Sequence, residues 1–295
     1  EHELAVAARV EELWPDLPVV CSHTLSREWR EYERTTTTVL SAYVQPIVES
    51  YFDRLETELQ TQGLKSRVYV TQSNGGVDTL DSARNKPITM VESGFASGVF
   101  GAAALGGIID EPNMIVLDIG GTSAKCSLIK DGQVRIKTEF RVEESETYSG
   151  YPLQVPVVDI VEIGQGGGSI AHIGEGGKLK VGPKSAGAVP GPAAYNQGGE
   201  DPTTTDANLV LGRIDADYFL GGKIRADMKA VSRAMNKIGS ALNLSDEEVA
   251  RGIVRLANNN MVNALKLVSV NRGFDPRDFN LVAFGGGGPM HATFL

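Results

Sequence analysis

The chain has 295 residues, 41% of them hydrophobic and 22% charged, with a formal net charge of −9. That is an ordinary globular composition, long enough for a large core and one or two domains. The negative balance argues against nucleic acid or an anionic membrane as the main partner. No apolar run approaches the ~20 residues needed to span a bilayer, and there is no signal-like start. Cys21 and Cys126 lie in apolar, strand-like contexts and read as reduced and buried, a usage that fits a cytoplasmic protein.

Residues 1–13 carry apolar side chains at helical spacing, and Pro15 and Pro18 close that helix. The chain begins without Met inside this pattern and stops at Leu295 just after a new helix begins. It is therefore expected to be a segment of a longer protein. Val19–Cys21 reads as a short strand. From about Thr38 to Gln62 a long helix places Val39, Tyr43, Ile47, Tyr51, Leu55 and Leu59 in one stripe, and Pro46 should kink or split it. Arg67–Thr71 is a strand that ends in the polar turn Gln72-Ser73-Asn74-Gly75-Gly76. Open α/β sheets bind ligands at such strand ends. A small-residue helix follows from Ser93 to Ala104.

Met114–Leu117 reads as a buried strand. Asp118 closes it, and Gly120, Gly121, Thr122 and Ser123 follow. Glycine opens backbone conformations closed to other residues and lets bare N–H groups approach a ligand. With hydroxyls beside it and a carboxylate to hold a metal, such a turn can cradle a phosphate. Next come a strand at Cys126–Ile129, an Asp131-Gly132 turn and a third strand at Gln133–Phe140. A P-loop or Rossmann fingerprint would place a helix there. A phosphate turn inside an antiparallel meander is instead the arrangement of actin-like, sugar-kinase and Hsp70-like ATPases.

A strand at Val157–Ile163 leads to Gly166, Gly167 and Gly168, a second cluster of backbone donors. Lys178–Val181 is a strand, and the Gly/Pro-rich loop 183–199 is long enough to read as functional. Asp206 stands at the N-cap position of a helix over Ala207–Leu211. Ser245 and Glu248 form a capping box that opens a helix to about Val270. Asn280–Phe284 is the last strand, and Gly285, Gly286, Gly287 and Gly288 turn into a helix. A strand, a Gly run and a helix N-terminus together suit a nucleotide. The four histidines lack metal-site spacing, so no zinc is expected.

Taken in order, these blocks resemble the hydantoinase/oxoprolinase family, specifically its hydantoinase A-type subunit (N-methylhydantoinase A- and acetone carboxylase beta-like chains). The resemblance covers essentially the whole chain. It runs through Arg30–Thr35, Gln72–Gly76, Asp118–Ser123, Glu162–Gly164 with Gly166–Ala171, Val181–Pro183 with Ser185–Ala188, Pro190–Pro192, Thr205–Arg213 and Phe284–Ala292. It implies an α/β actin-like ATPase (ribonuclease H-like) fold, with mixed sheets, flanking helices and a truncated N-terminus. Residues 1–112 would be the remainder of the first subdomain and residues 113–295 the second. It also implies an ATP-dependent hydrolase that opens cyclic amides of the hydantoin or 5-oxoproline type. The same fold and loops serve ATP-dependent ketone carboxylases, and a relative without turnover is a third reading.

Carried onto this chain, Asp118 and Thr122 are the catalytic candidates, with Asp118 as metal ligand. Gly120, Gly121, Ser123, Gly166–Gly168, Asp206 and Gly285–Gly288 are the cofactor-binding candidates. ATP and Mg2+ are the implied cofactors, and a hydantoinase B-type subunit or domain is the implied partner in an oligomer. Two positions depart from the family. An acid usually stands where this chain has Lys125, which leaves lost turnover, a phosphate contact or a solvent-facing side chain open. Gly94–Gly98 replaces a usual Gly-Pro-Ala-Gly-Gly. The family's first phosphate loop lies in a region this chain lacks, so the isolated segment is expected to hydrolyse ATP negligibly. An amide activated by phosphorylation of its carbonyl oxygen needs positioning and charge stabilisation, with no protein nucleophile.

Overall fold

The computed structural model describes residues 1–143, 148–219, 221–223 and 225–295. It divides into two compact units: Glu1–Gly101 with Val134–Asp159, and Ala102–Gln133 with Ile160–Leu295. Among the described residues, no helix is long and apolar enough to cross a membrane.

In the first unit, helix His2–Leu13 forms as expected, whereas Val19–Cys21 is an extended lead into a short helix, Ser22–Leu25. The long helix runs over Glu31–Thr61, starting a full turn and more before its expected beginning. A run of β-branched threonines enters it because Thr36, Thr37 and Thr38 donate their hydroxyls to carbonyls four residues back. Pro46, on the exposed side, does not split it.

The expected apolar stripe of this helix meets the core only toward its C-terminal end, where Leu55 packs against it. Val39, Tyr43, Ile47 and Tyr51 are exposed, and the buried face carries Thr37, Ser41, Gln45 and Phe52. A polar buried face is tolerable where its groups are paired. Thr37 meets this by accepting a hydrogen bond from the Gln154 N–H at 2.9 Å. Phe52, with Leu80 and Ala83, centres the unit's core. Tyr69–Thr71 and Val77–Thr79 pair as an antiparallel hairpin around the Gln72–Gly76 turn.

The second unit is built on a mixed sheet whose strands lie in the order Val161–Ile163, Ala124–Lys130, Met114–Ile119, Asn280–Phe284. The first two pairings are antiparallel and the last is parallel. Met114–Ile119 is central and almost wholly buried, as its continuous apolar run implies. Helix Asp246–Val268, opened by the Ser245/Glu248 capping box, lays Ala257, Met261, Ala264 and Val268 against Leu117, Ile119, Cys126 and Leu128. Cys126 is buried there, but Cys21 is only partly so.

The meander's expected third strand, Gln133–Phe140, begins as expected, with Gln133–Val134 pairing with Ala124–Lys130, but is then broken. Ile136–Lys137 pairs with Val157–Val158, and Phe140–Val142 with Tyr151–Leu153. The chain changes partner between them, so no continuous ladder forms. Val157–Ile163 is likewise split into Val157–Val158 and Val161–Ile163. Helix Met228–Leu242 was not anticipated. It packs Val231, Met235 and Ile238 against Val249, Ile253 and Val254 of the following helix.

Candidate functional site

The glycine clusters, far apart in sequence, meet at one end of the second unit's sheet. The turn after Asp118 is closed by the Gly120 N–H donating to the Ser123 carbonyl at 3.0 Å. The Gly167 and Gly168 N–H groups donate to the carbonyls of Gly120 and Gly121 at 2.9 and 2.6 Å. On the other side, Gly287 N–H donates to the Ile119 carbonyl at 2.8 Å. Two glycines are required by these approaches. A Cβ on Gly166 would lie 2.7 Å from the Gly120 carbonyl oxygen. Gly285 has φ +76° and sits directly against Asp118 Oδ1, where a side chain would be both strained and blocked.

This arrangement sorts the candidate residues. Gly120, Gly121, Thr122, Gly285 and Gly286 are exposed at the turn, and Asp118 and Ser123 are half-buried. Gly166, Gly168, Gly287 and Gly288 are buried behind them, with Gly167 half-buried. Burial pushes the Asp118 carboxyl above its usual range, opposed by the nearby Lys125 ammonium. Lys125 does not project freely into solvent: its Nζ lies 3.7 Å from Glu162 Oε1 and its side chain is 22% exposed.

Asp206 lies one layer deeper. The N-cap of helix Thr204–Val210 is Thr203, and Asp206 is the third helical residue of a Thr203/Asp206 capping box. Asp206 is fully buried. Its carboxylate accepts from the N–H groups of Ala193, Ala194 and Thr203 and from the Thr203 hydroxyl. Burial raises its pKa while these donors lower it. The group therefore clamps the Gly/Pro loop to the helix, and the helix in turn holds the glycine cluster through the Thr205 N–H, 2.7 Å from the Gly167 carbonyl.

Several supporting residues carried no sequence signal of their own. Asn260, on the long helix, donates to Gln165 Oε1 at 2.9 Å, and Ser169 Oγ accepts from the Gly166 N–H at 2.8 Å. His291 is buried, with Nδ1 2.6 Å from Asn258 Oδ1 and Nε2 3.5 Å from Asn208 Nδ2. Burial and Arg213 push its pKa down to about 4, so it is neutral at pH 7.

The cavities in the first unit include two of about 660 and 750 Å3, and none of the candidate residues lines them. This unit also brings together Glu3, Cys21 and His23, whose potential ligand atoms lie within 4.8 Å of one another. Histidine spacing could not reveal this group, because Glu3 comes from another helix. Its carboxylate is already engaged by the Ser22 hydroxyl, the His23 N–H and ring, and Arg34. These contacts hold the Glu3 carboxyl down at about 2.

The strand–turn–strand at Asp118, joined by glycine segments from two further places, belongs to an α/β fold of the actin-like ATPase type. The chain belongs to the hydantoinase/oxoprolinase family, whose family model matches residues 34–295. It is 38% identical to caprolactamase subunit alpha of Pseudomonas jessenii, covering all of this chain and 42% of that one. The crystal structure of the ATP-dependent caprolactamase from that organism superposes with a TM-score of 0.74. The nucleotide-free structure of acetone carboxylase gives a TM-score of 0.83 at 28% identity, over 97% of this chain and 39% of the other. 5-Oxoprolinase 1 of Arabidopsis thaliana is 32% identical over 94% of this chain and 22% of its own length. The chain thus spans about two-fifths of the caprolactamase and acetone carboxylase chains it matches.

Proposed function

We propose that this chain is the nucleotide-handling part of an ATP-dependent hydrolase that opens cyclic amides. The observation that carries the reading is the assembly of the Asp118 turn, the Gly166–Gly168 segment and the Gly285–Gly288 turn around one half-buried carboxylate. Gly120, Gly121, Ser123 and the Gly285–Gly286 backbone bind the nucleotide, backed by Gly166–Gly168, Gly287 and Gly288. Asp206 contributes by fixing the loop behind them. Thr122 is exposed beside Asp118, where its hydroxyl can orient a phosphate oxygen.

Mg2+ typically takes one or two carboxylates, adds substrate phosphates and keeps several waters. A single carboxylate, Asp118, with hydroxyls beside it fits an ion that is shared with phosphates. When bound, the ion would neutralise charge developing on the phosphoryl group. The γ-phosphoryl of ATP moves to the amide oxygen, water adds to the carbon and the C–N bond opens. A second water then releases phosphate from the acyl phosphate. The chain's own share is positioning and charge stabilisation by fixed dipoles.

Residues 1–112 are read as the remainder of the first actin-like subdomain and residues 113–295 as the second. The partner is a B-type subunit or domain, within a cytoplasmic oligomer. Ketone carboxylation is the second reading, supported by the acetone carboxylase superposition. The test is ATP turnover by the full-length protein with its partner, with lactams and then with ketones plus bicarbonate. Lactam-stimulated turnover supports the first reading and ketone-stimulated turnover the second. Turnover with neither would refute both.

A further inference from the structure

The side chains that cross the sheet at Asp118 form a row of alternating charge. Register places Lys125 directly opposite Asp118 on the central strand and directly opposite Glu162 on the edge strand. Residues directly opposed on neighbouring strands project from the same face and interact. The Lys125 Nζ is 3.7 Å from Glu162 Oε1 and only 22% of its side chain is exposed. On its far side Asp118 is opposite Phe284, and the next residue, Gly285, closes against its Oδ1. One ammonium therefore stands between two carboxylates at the mouth of the turn.

We propose that Lys125 is a built-in counter-ion for Asp118 and Glu162 that keeps divalent metal off the turn until phosphates arrive. A protein-held divalent cation draws its affinity from carboxylates whose charge is not already compensated. Lys125 lies opposite both in register and its charge acts on the Asp118 carboxyl, so a divalent ion approaching Asp118 is also repelled by the ammonium. This assignment rests on reading the Asp118 turn as a phosphate site. It adds that the metal comes with the nucleotide, so the turn has no resident ion. It also replaces the three roles open for Lys125 from sequence with one that its neighbours define.

The experiment measures Mn2+ binding to the 295-residue chain from the paramagnetic signal of free Mn2+, without nucleotide. The forms compared are the parent, Asp118→Asn, Lys125→Arg, Lys125→Gln, Lys125→Asp and Lys125→Asp with Asp118→Asn, each checked for fold by circular dichroism. The parent and Lys125→Arg should bind weakly. Lys125→Gln should tighten binding about tenfold and Lys125→Asp more, and Asp118→Asn should cancel the gain. Tight Mn2+ binding by the parent that Asp118→Asn removes would overturn the proposal. So would folded Lys125→Gln without a gain. ATP binding by the parent, followed separately by calorimetry, tests the phosphate reading: its absence would refute that reading whatever Mn2+ does.

Discussion

Protonating His291 should cost this fold stability as the pH falls below about 6.5. The imidazole is buried, its Nδ1 side faces Asn258 Oδ1 and its Nε2 side faces the Asn208 amide nitrogen at 3.5 Å. Nε2 is thus placed to accept, and adding a proton would set one donor against another beside the Arg213 charge. Burial first, and then Arg213, lower its pKa from 6.5 to about 4. A depressed histidine binds fewer protons folded than unfolded. Its contribution is therefore complete above pH ~6.5 and is lost as the pH falls from there to about 4. At ~1.36 kcal/mol per pH unit of separation, that amounts to about 3 kcal/mol. Urea unfolding of the parent and of His291→Gln at steps between pH 7.5 and 4 measures it. The parent should lose about 3 kcal/mol more than the variant over that range. Parallel losses in the two proteins would refute a buried neutral His291.

Gly285→Ala should lower the melting temperature and disturb Asp118, because a Cβ at φ +76° meets the carboxylate; a cost of about 1–3 kcal/mol is expected. Asp206→Asn should destabilise by about 2–4 kcal/mol, since an N–H2 group would face a ring of donors; unchanged urea unfolding would contradict the clamp. Thr203→Ala removes a helix cap and should cost about 1–2 kcal/mol. Asp118→Ala should abolish whatever ATP binding calorimetry detects and leave the circular dichroism spectrum unchanged.

The elements most legible from sequence were those whose residues answer to local rules. Met114–Ile119 announced itself by a short apolar run, and Ser245 with Glu248 marked a helix start that the hydrogen bonds reproduce. Helix Met228–Leu242 carries a helical signal too, in Val231, Ala234, Met235 and Ile238 at helical spacing. Long-range contacts decided what was misread. Val39, Tyr43, Ile47 and Tyr51 have the spacing of a core stripe, but spacing gives periodicity and not the direction of the core. Asp206 looked like an N-cap because a capping box has acceptors at both of its ends, and only the backbone shows that Thr203 comes first. The glycine clusters were found one by one, but their meeting depends on the sheet register. The support from Asn260 and Gln165 lies 95 residues apart in sequence, beyond any local pattern.

The first unit receives its last piece late. Its stretch 134–159 is threaded in only after the chain has made residues 102–133 of the other unit. That stretch supplies Tyr151–Leu153, whose neighbour Gln154 is tied to Thr37, and Val158, which donates to the Ser73 carbonyl at 2.9 Å. During synthesis, a nascent chain that has emerged as far as Gly101 lacks these partners. Helix Glu31–Thr61 must then wait for its contact with Gln154 until the 53 residues from Ala102 to Gln154 have left the ribosome. At ~5–20 residues per second that is a delay of about 3–10 s. Neither unit can be excised by cutting the chain at a single point. Vectorial synthesis therefore obliges the two to mature together, and a stop placed between them would release an unfinished first unit.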